Sequence, residues 1–156
     1  MQNDPIFMKN TYNGTWLVDT NILVYGFDKT SLYYPKAREF FQQSAETKLS
    51  LVVAHQNILE VIRVFTKGYG LSRHDVLMRL QGLIEDLGIK VISPMDDTLG
   101  FFYQFIDKKS QVIDMFDYYL ASTMKSNGID QLFTVNTKDF KDVPGLVVVN
   151  PCVIDY

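Results

Sequence analysis

Most of the short apolar runs along this chain are followed by a longer stretch in which apolar residues recur at helical spacing. Thr15–Val18 reads as a first strand, and the chain turns at once from Asp19-Thr20-Asn21 into a helix. Residues 35–48 form a predicted helix with Pro35 in the first turn and Ala37, Phe40, Phe41 and Ala45 on its apolar side. Residues 49–54 have the short apolar run of a strand buried in a parallel sheet. The spacing predicts a long helix over 55–68. Ile58, Ile62 and Phe65 mark its core face, while Gln56, Glu60, Arg63 and Lys67 share a polar stripe. Ser72 with Asp75 opens another helix in the manner of a capping box, and Gly88 stops it. A strand follows over 89–92. Ser93-Pro94 then opens a helix with Asp96 and Asp97 in its first turn, where acids favour the helix dipole. Residues 112–127 form the last long helix, ended by Gly128, before strands over 131–135 and 146–149. Strands alternating with helices imply a three-layer α/β/α domain around a mostly parallel sheet of four to five strands.

Composition narrows the setting. Residues 1–14 show no sustained periodicity and read as an N-terminal extension, leaving 15–156 as one domain. A chain of 156 residues buries ~70% of its unfolded surface, and a hydrophobic content of 47% against 21% charged is that of a globular protein. The start of the chain lacks the basic and apolar regions of a signal peptide, and no apolar run approaches the ~20 residues that span a bilayer. The single cysteine, Cys152, cannot form an intrachain disulfide. It is expected to be a structural thiol in a protein of the reducing cytoplasm. A net charge of −3 argues against a basic nucleic-acid coat protein. It leaves room for a nuclease, because a carboxylate site is itself negative until a metal binds.

Candidate chemistry gathers on a few polar positions at strand ends and helix starts. Asp19 stands where the first strand ends, an edge at which open α/β folds bind ligands; the simpler reading is a helix N-cap. Thr20 and Asn21 are placed to hold that carboxylate or a phosphate oxygen. Glu60 lies on the polar stripe beside Arg63, where a solvated glutamate paired with a base is the plainer account. Asp114 and Asp117, three apart, point from one helix face, Asp117 nearer the core and Asp114 nearer the dipole. Asn136 follows the apolar run ending in Thr134-Val135, and Asp139 either joins the site or caps the turn that Phe140 pins. Carboxylates drawn from distant segments call for a cation, and hard divalent ions prefer such oxygen ligands.

The ordered set Val18-Asp19-Thr20-Asn21, mid-helix Glu60, Ile113-Asp114-Met115-Phe116-Asp117 running on to Ser122, and Thr134-Val135-Asn136-Thr137-Lys138-Asp139-Phe140 resembles the PIN domain. It is most similar to the VapC-type ribonuclease toxins of type II toxin–antitoxin pairs, from about Trp16 to Pro151. By that resemblance Asp19, Glu60 and Asp117 occupy the family's three acidic positions, and Asn136 stands where many members carry a fourth acid. Asp114 or Asp139 is then placed to compensate. The resemblance implies an endoribonuclease dependent on magnesium or manganese, acting on structured RNA. It further implies a homodimer, blocked by a cognate antitoxin inserted into its cleft. Asp19 and Asp117 are expected as direct metal ligands, Glu60 as a ligand or holder of a metal-bound water, and Asn136 as its orienter. Thr20, Asn21, Thr134, Arg63 and Lys67 would position substrate, with Lys29, Lys125 and Lys138 as further phosphate contacts.

Other chemistries find little support. The sequence holds no Gly-rich phosphate loop or dinucleotide fingerprint and no Gly-x-Ser-x-Gly elbow. His55 and His74 have no Cys or His at ligand spacing and read as structural. Two alternatives stay open: a PIN nuclease of RNA or DNA processing that is not a toxin, and a non-catalytic α/β module using the cleft to bind a partner.

Overall fold

The computed structural model describes residues 12–106 and 114–154. Five strands, β1 (Thr15–Val18), β2 (Ser50–Ala54), β3 (Lys90–Ile92), β4 (Gln131–Phe133) and β5 (Val147–Val149), form one sheet in the order β3-β2-β1-β4-β5. Every pairing is parallel. Helices connect them: α1 (Thr20–Phe27), α2 (Tyr34–Glu46), α3 (His55–Arg63), α4 (Arg73–Asp86), α5 (Thr98–Ile106), α6 (Met115–Ser126) and α7 (Thr137–Phe140).

The pleat sends successive side chains to opposite faces, and the two cores follow that alternation. Trp16, Val18, Leu51, Val53 and Phe133 face one way and pack against α1, α2, α3 and α4. Leu17, Val52, Ala54 and Leu132 face the other way, against α5, α6 and α7. Buried on both faces, the central strands carry the apolar runs expected of a parallel sheet. The first core centres on aromatic rings, with Trp16 stacked on Phe133 at 4.3 Å and Phe40 edge-on to Phe133 at 4.9 Å. Tyr12 also packs edge-on against Trp16 and Phe133, so core packing begins within the segment read as an extension. The rest of that segment, residues 1–11, lies outside the described residues. Cys152 is wholly buried in the first core, which pushes its thiol up to about 12 and makes it inert. Among the described residues, no helix is long and apolar enough to cross a membrane.

Several elements depart from their sequence reading, each for a local reason. On α2 the buried row is Ala37, Phe40, Phe41 and Ser44, with Ala45 exposed. The Ser44 hydroxyl enters the core by donating to the Phe40 carbonyl at 2.7 Å. Along α3 and the turn that follows it the buried line runs Asn57, Val61, Phe65, and Ile58 and Ile62 only flank it. The helix predicted over 55–68 closes in a π-helical turn, Val64–Gly68, where the Thr66 hydroxyl bonds back to the Ile62 carbonyl at 2.8 Å. The helix expected from Ser93-Pro94 begins only at Thr98, whose hydroxyl accepts the Met95 N–H at 2.8 Å. Asp96 and Asp97 therefore precede it in a turn. Strand β4 stops at Phe133, because Thr134 and Val135 are drawn into the contacts described next.

Candidate active site

Strand β1 runs down the middle of the sheet, with β2 and β3 on one side and β4 and β5 on the other. The gap beyond the ends of β1 and β4 is the point where strand order reverses, and there this architecture binds ligands. Asp19 is the first residue past β1 and is only 7% exposed. Its backbone N–H donates to the Phe133 carbonyl at 2.9 Å, so the side chain is fixed where the pairing ends. It does cap α1, since Oδ1 accepts the Thr20 N–H at 2.8 Å. The cap occupies one oxygen. Oδ2 accepts the Thr134 hydroxyl at 2.8 Å and, at 3.4 Å, the Asn21 amide.

These bonds belong to a small lattice. Asn21 also donates to Thr134 Oγ1 at 3.2 Å and accepts the Val135 N–H at 3.3 Å, while the Asn136 N–H reaches Thr134 Oγ1 at 3.1 Å. The hydroxyl of Thr134 is thus spent inside the protein. Thr134, expected among the substrate-positioning residues, is wholly buried and directs its hydroxyl at Asp19. Burial of Asp19 still outweighs its donors. Desolvation, opposed by the bonds from Thr134 and Thr20 and reinforced by the charges of Glu60 and Asp139, pushes its carboxyl up to about 6.

A second relay orients Glu60. Its Oε2 accepts the Thr20 hydroxyl at 2.6 Å, and its Oε1 accepts the Gln56 amide at 3.0 Å. The Thr20 hydroxyl in turn accepts from Asn57 Nδ2 at 3.1 Å, which leaves its single proton for Glu60. Asn57 is fully buried, and its Oδ1 accepts the Ala54 N–H at 2.9 Å, tying the start of α3 to the end of β2. Gln56 reaches across to α6, donating to the Phe116 carbonyl at 3.0 Å. Neither Gln56 nor Asn57 stood out in the sequence beyond the polar stripe. The available signal was an amide three residues past a strand end, at the position that reaches back to cap a helix start.

Asp117 sits half-buried in the first turn of α6. Desolvation, then the charges of Asp19, Asp139, Asp114 and Glu60, push its carboxyl up to about 7. Asp114 is the N-cap of α6, its Oδ1 accepting the Phe116 N–H at 2.8 Å. Glu60, Asp114, Asp117 and Asp139 line one cleft of about 1180 Å³ walled by α3 and α6, with Arg63 and Lys67 along the same wall as Glu60. Thr20 also lines the cleft, and Asp19 adjoins it there. Asn136 is exposed at the start of α7, outside that lining, and its side chain makes no capping bond. Lys29, Lys125 and Lys138 lie outside it too, whereas exposed His55 is part of it.

Among the described residues the one ion pair is Lys36–Glu39 on α2, so the clustered acids have no basic partner to relieve them. No three His, Cys, Asp or Glu side chains among those residues already converge into a ligand shell. The donor set nevertheless fits a hard divalent ion. All its donors are oxygen, its charge is negative, and magnesium is held by one or two carboxylates with water and phosphate completing the shell.

The sequence matches no curated protein. Its fold is similar to that of a chain in the VapBC2 complex of Rickettsia felis bound to a promoter DNA fragment, at a TM-score of 0.69 and 18% identity over 88% of this chain and 98% of the other. DNA-bound VapBC of Salmonella typhimurium is similar at a TM-score of 0.68 and 18% identity, with the same 88% and 98% coverage. VapC20 of Mycobacterium tuberculosis, described as a toxin that cleaves the sarcin-ricin loop, aligns at a TM-score of 0.62 and 11% identity over 81% of this chain and 95% of that one. The family model for the PIN domain matches residues 16–146, a span that takes in both relays and every acid of the cleft, and the chain belongs to the PIN domain family.

Proposed function

We propose that this protein is a divalent-metal-dependent endoribonuclease, the toxin of a VapC-type toxin–antitoxin pair. The observation that carries the reading is the position of Asp19: nearly buried at the switch point, held by three side chains or amides, and coupled by charge to Asp117, Glu60 and Asp139 across one cleft. A structural cap needs neither this isolation nor the neighbouring acids.

Magnesium or manganese would be held by Asp19 and Asp117, with Glu60 and Asp139 at its margin. When bound, the ion would supply Lewis acidity at the scissile phosphate and acidify the attacking water. The chain's own groups do the rest. Thr134 and the Thr20 amide keep the Asp19 oxygens from turning away. The Thr20 hydroxyl and Gln56 fix both oxygens of Glu60, so this carboxylate can receive a proton without first reorienting. Arg63 and Lys67, exposed on the same wall, offer positive charge to the phosphates that flank the cleaved bond.

The structural relatives solved as VapBC complexes support an antitoxin partner, which we propose sits over the cleft of a homodimeric toxin. The relative described as cleaving the sarcin-ricin loop supports RNA as the substrate. Incubation of purified protein with structured RNA and manganese should give discrete cleavage products. Asp19→Asn and Asp117→Asn should each abolish them while keeping the parent's circular dichroism. A variant that cleaves within about threefold of the parent rate, less than ~0.7 kcal/mol of barrier, removes its residue from the site. An open reading frame for a small antitoxin beside the gene separates a toxin from a processing nuclease.

A further inference from the structure

Resting on that reading, we infer that Phe116 is the residue on which the nuclease stacks an unpaired nucleobase next to the scissile phosphate. Phe116 directly precedes Asp117, lines the same cleft and is 64% exposed. An aromatic side chain left so open beside a polar site is unusual, because burying a ring is strongly favourable. Its position is also fixed from both ends. The Asp114 carboxylate accepts its N–H at 2.8 Å, and Gln56 on the opposite wall donates to its carbonyl at 3.0 Å. The ring is therefore carried on an anchored segment whose next residue is an acid of the candidate metal centre.

The surrounding charge selects the occupant. Across the cleft stand Arg63 and Lys67, both exposed and without an ion pair among the described residues. Leu59, 68% exposed, lies on the same wall. A ligand that satisfies this surface offers a flat apolar face, regularly spaced negative charge and an oxygen ligand for a divalent ion. A nucleotide of a single-stranded or looped RNA has all three. Base-on-aromatic stacking is tolerant of sequence and contributes about 1–3 kcal/mol per base. A paired base keeps its faces covered by its neighbours, so the residue favours unpaired over duplex RNA.

The test compares Phe116→Leu, Phe116→Ala and Phe116→Trp with the parent. The probe is a labelled oligoadenylate of about 12 nucleotides, within the range of single-strand site sizes, with calcium at the carboxylates. Leucine retains apolar area without a ring. We expect Leu and Ala to weaken binding by about tenfold, equivalent to ~1.4 kcal/mol, and Trp to hold or tighten it. A duplex of the same length should bind parent and variants alike. A Leu variant that binds oligoadenylate within about twofold of the parent, ~0.4 kcal/mol, overturns the inference, and would leave the exposed ring to a protein partner. If the parent cleaves RNA and that variant matches it, the inference alone fails. A parent that neither binds nor cleaves RNA overturns the proposed function along with it.

Discussion

At the scale of single residues, the site is a contest between burial and hydrogen bonding. Asp19 accepts three hydrogen bonds, and still its carboxyl rises, because the water it loses solvates an anion better than those contacts do. The same balance ranks the fourth position. Asp139 lines the cleft and its charge raises both Asp19 and Asp117, whereas Asn136 is exposed and outside it. Asp139→Asn should therefore shift the manganese dependence of cleavage to higher concentration. Asn136→Asp should shift it the other way by less than tenfold, under ~1.4 kcal/mol. Cleavage rate against manganese for the three proteins decides it. Superimposed curves would leave a centre of Asp19, Glu60 and Asp117 alone.

At the scale of elements, legibility in the sequence followed the strength of the local pattern. The strands at 15–18 and 49–54, the Ser72-capped helix and the Gly128 stop all have signals confined to a few residues, and the structure places each within a residue or two. At Gly128 a positive φ of 68° lets the chain reverse after α6, which a side chain would resist. What stayed hidden depends on partners far away. The rotation of α3 that buries Asn57 and Val61 is set by Thr20 and the Ala54 amide, and no helical periodicity contains that information. The set of acids was legible as an ordered pattern, but the long links of the relays that orient them join residues 37 to 115 positions apart. Packing between α1 and α2 supplies a direct test. A Cβ built on Gly26 would lie 2.7 Å from the Phe41 ring, while one on Gly82 in α4 meets nothing within 4 Å. Gly82→Ala should raise stability by ~0.5–1 kcal/mol from helix propensity. Gly26→Ala should lower it, since overpacking costs about 1–3 kcal/mol. Denaturant midpoints read both, and a common sign would refute the tight α1–α2 contact.

At the scale of the whole molecule, the acids make stability depend on pH and metal. Asp19 and Asp117 carry carboxyls at about 6 and about 7 in the fold against an ordinary 3.8. The folded protein thus holds more protons than the unfolded chain between those values, and stability falls as pH rises through them. Metal-free protein should melt at a higher temperature near about pH 5 than near about pH 8, and Asp117→Asn should flatten that slope. A divalent ion favours the charged carboxylates, so manganese at the higher pH should raise the parent's midpoint more than the variant's. Equal shifts in the two proteins would place the ion elsewhere.

The hydrogen bond between Thr134 and Asp19 spans 115 positions of sequence, and this has a consequence in time. Pairing of β1 with β4 closes a long loop, and such contacts form late because their entropy is lost before packing rewards it. A ribosome adds ~5–20 residues per second, so several seconds separate the appearance of Asp19 from that of its partner. During that interval the nascent chain already contains the residues of α1 through α6 but no finished centre. For the nuclease proposed above, the fold acts as a delay: the chain cannot attack RNA, including the message being read, until β4 has followed.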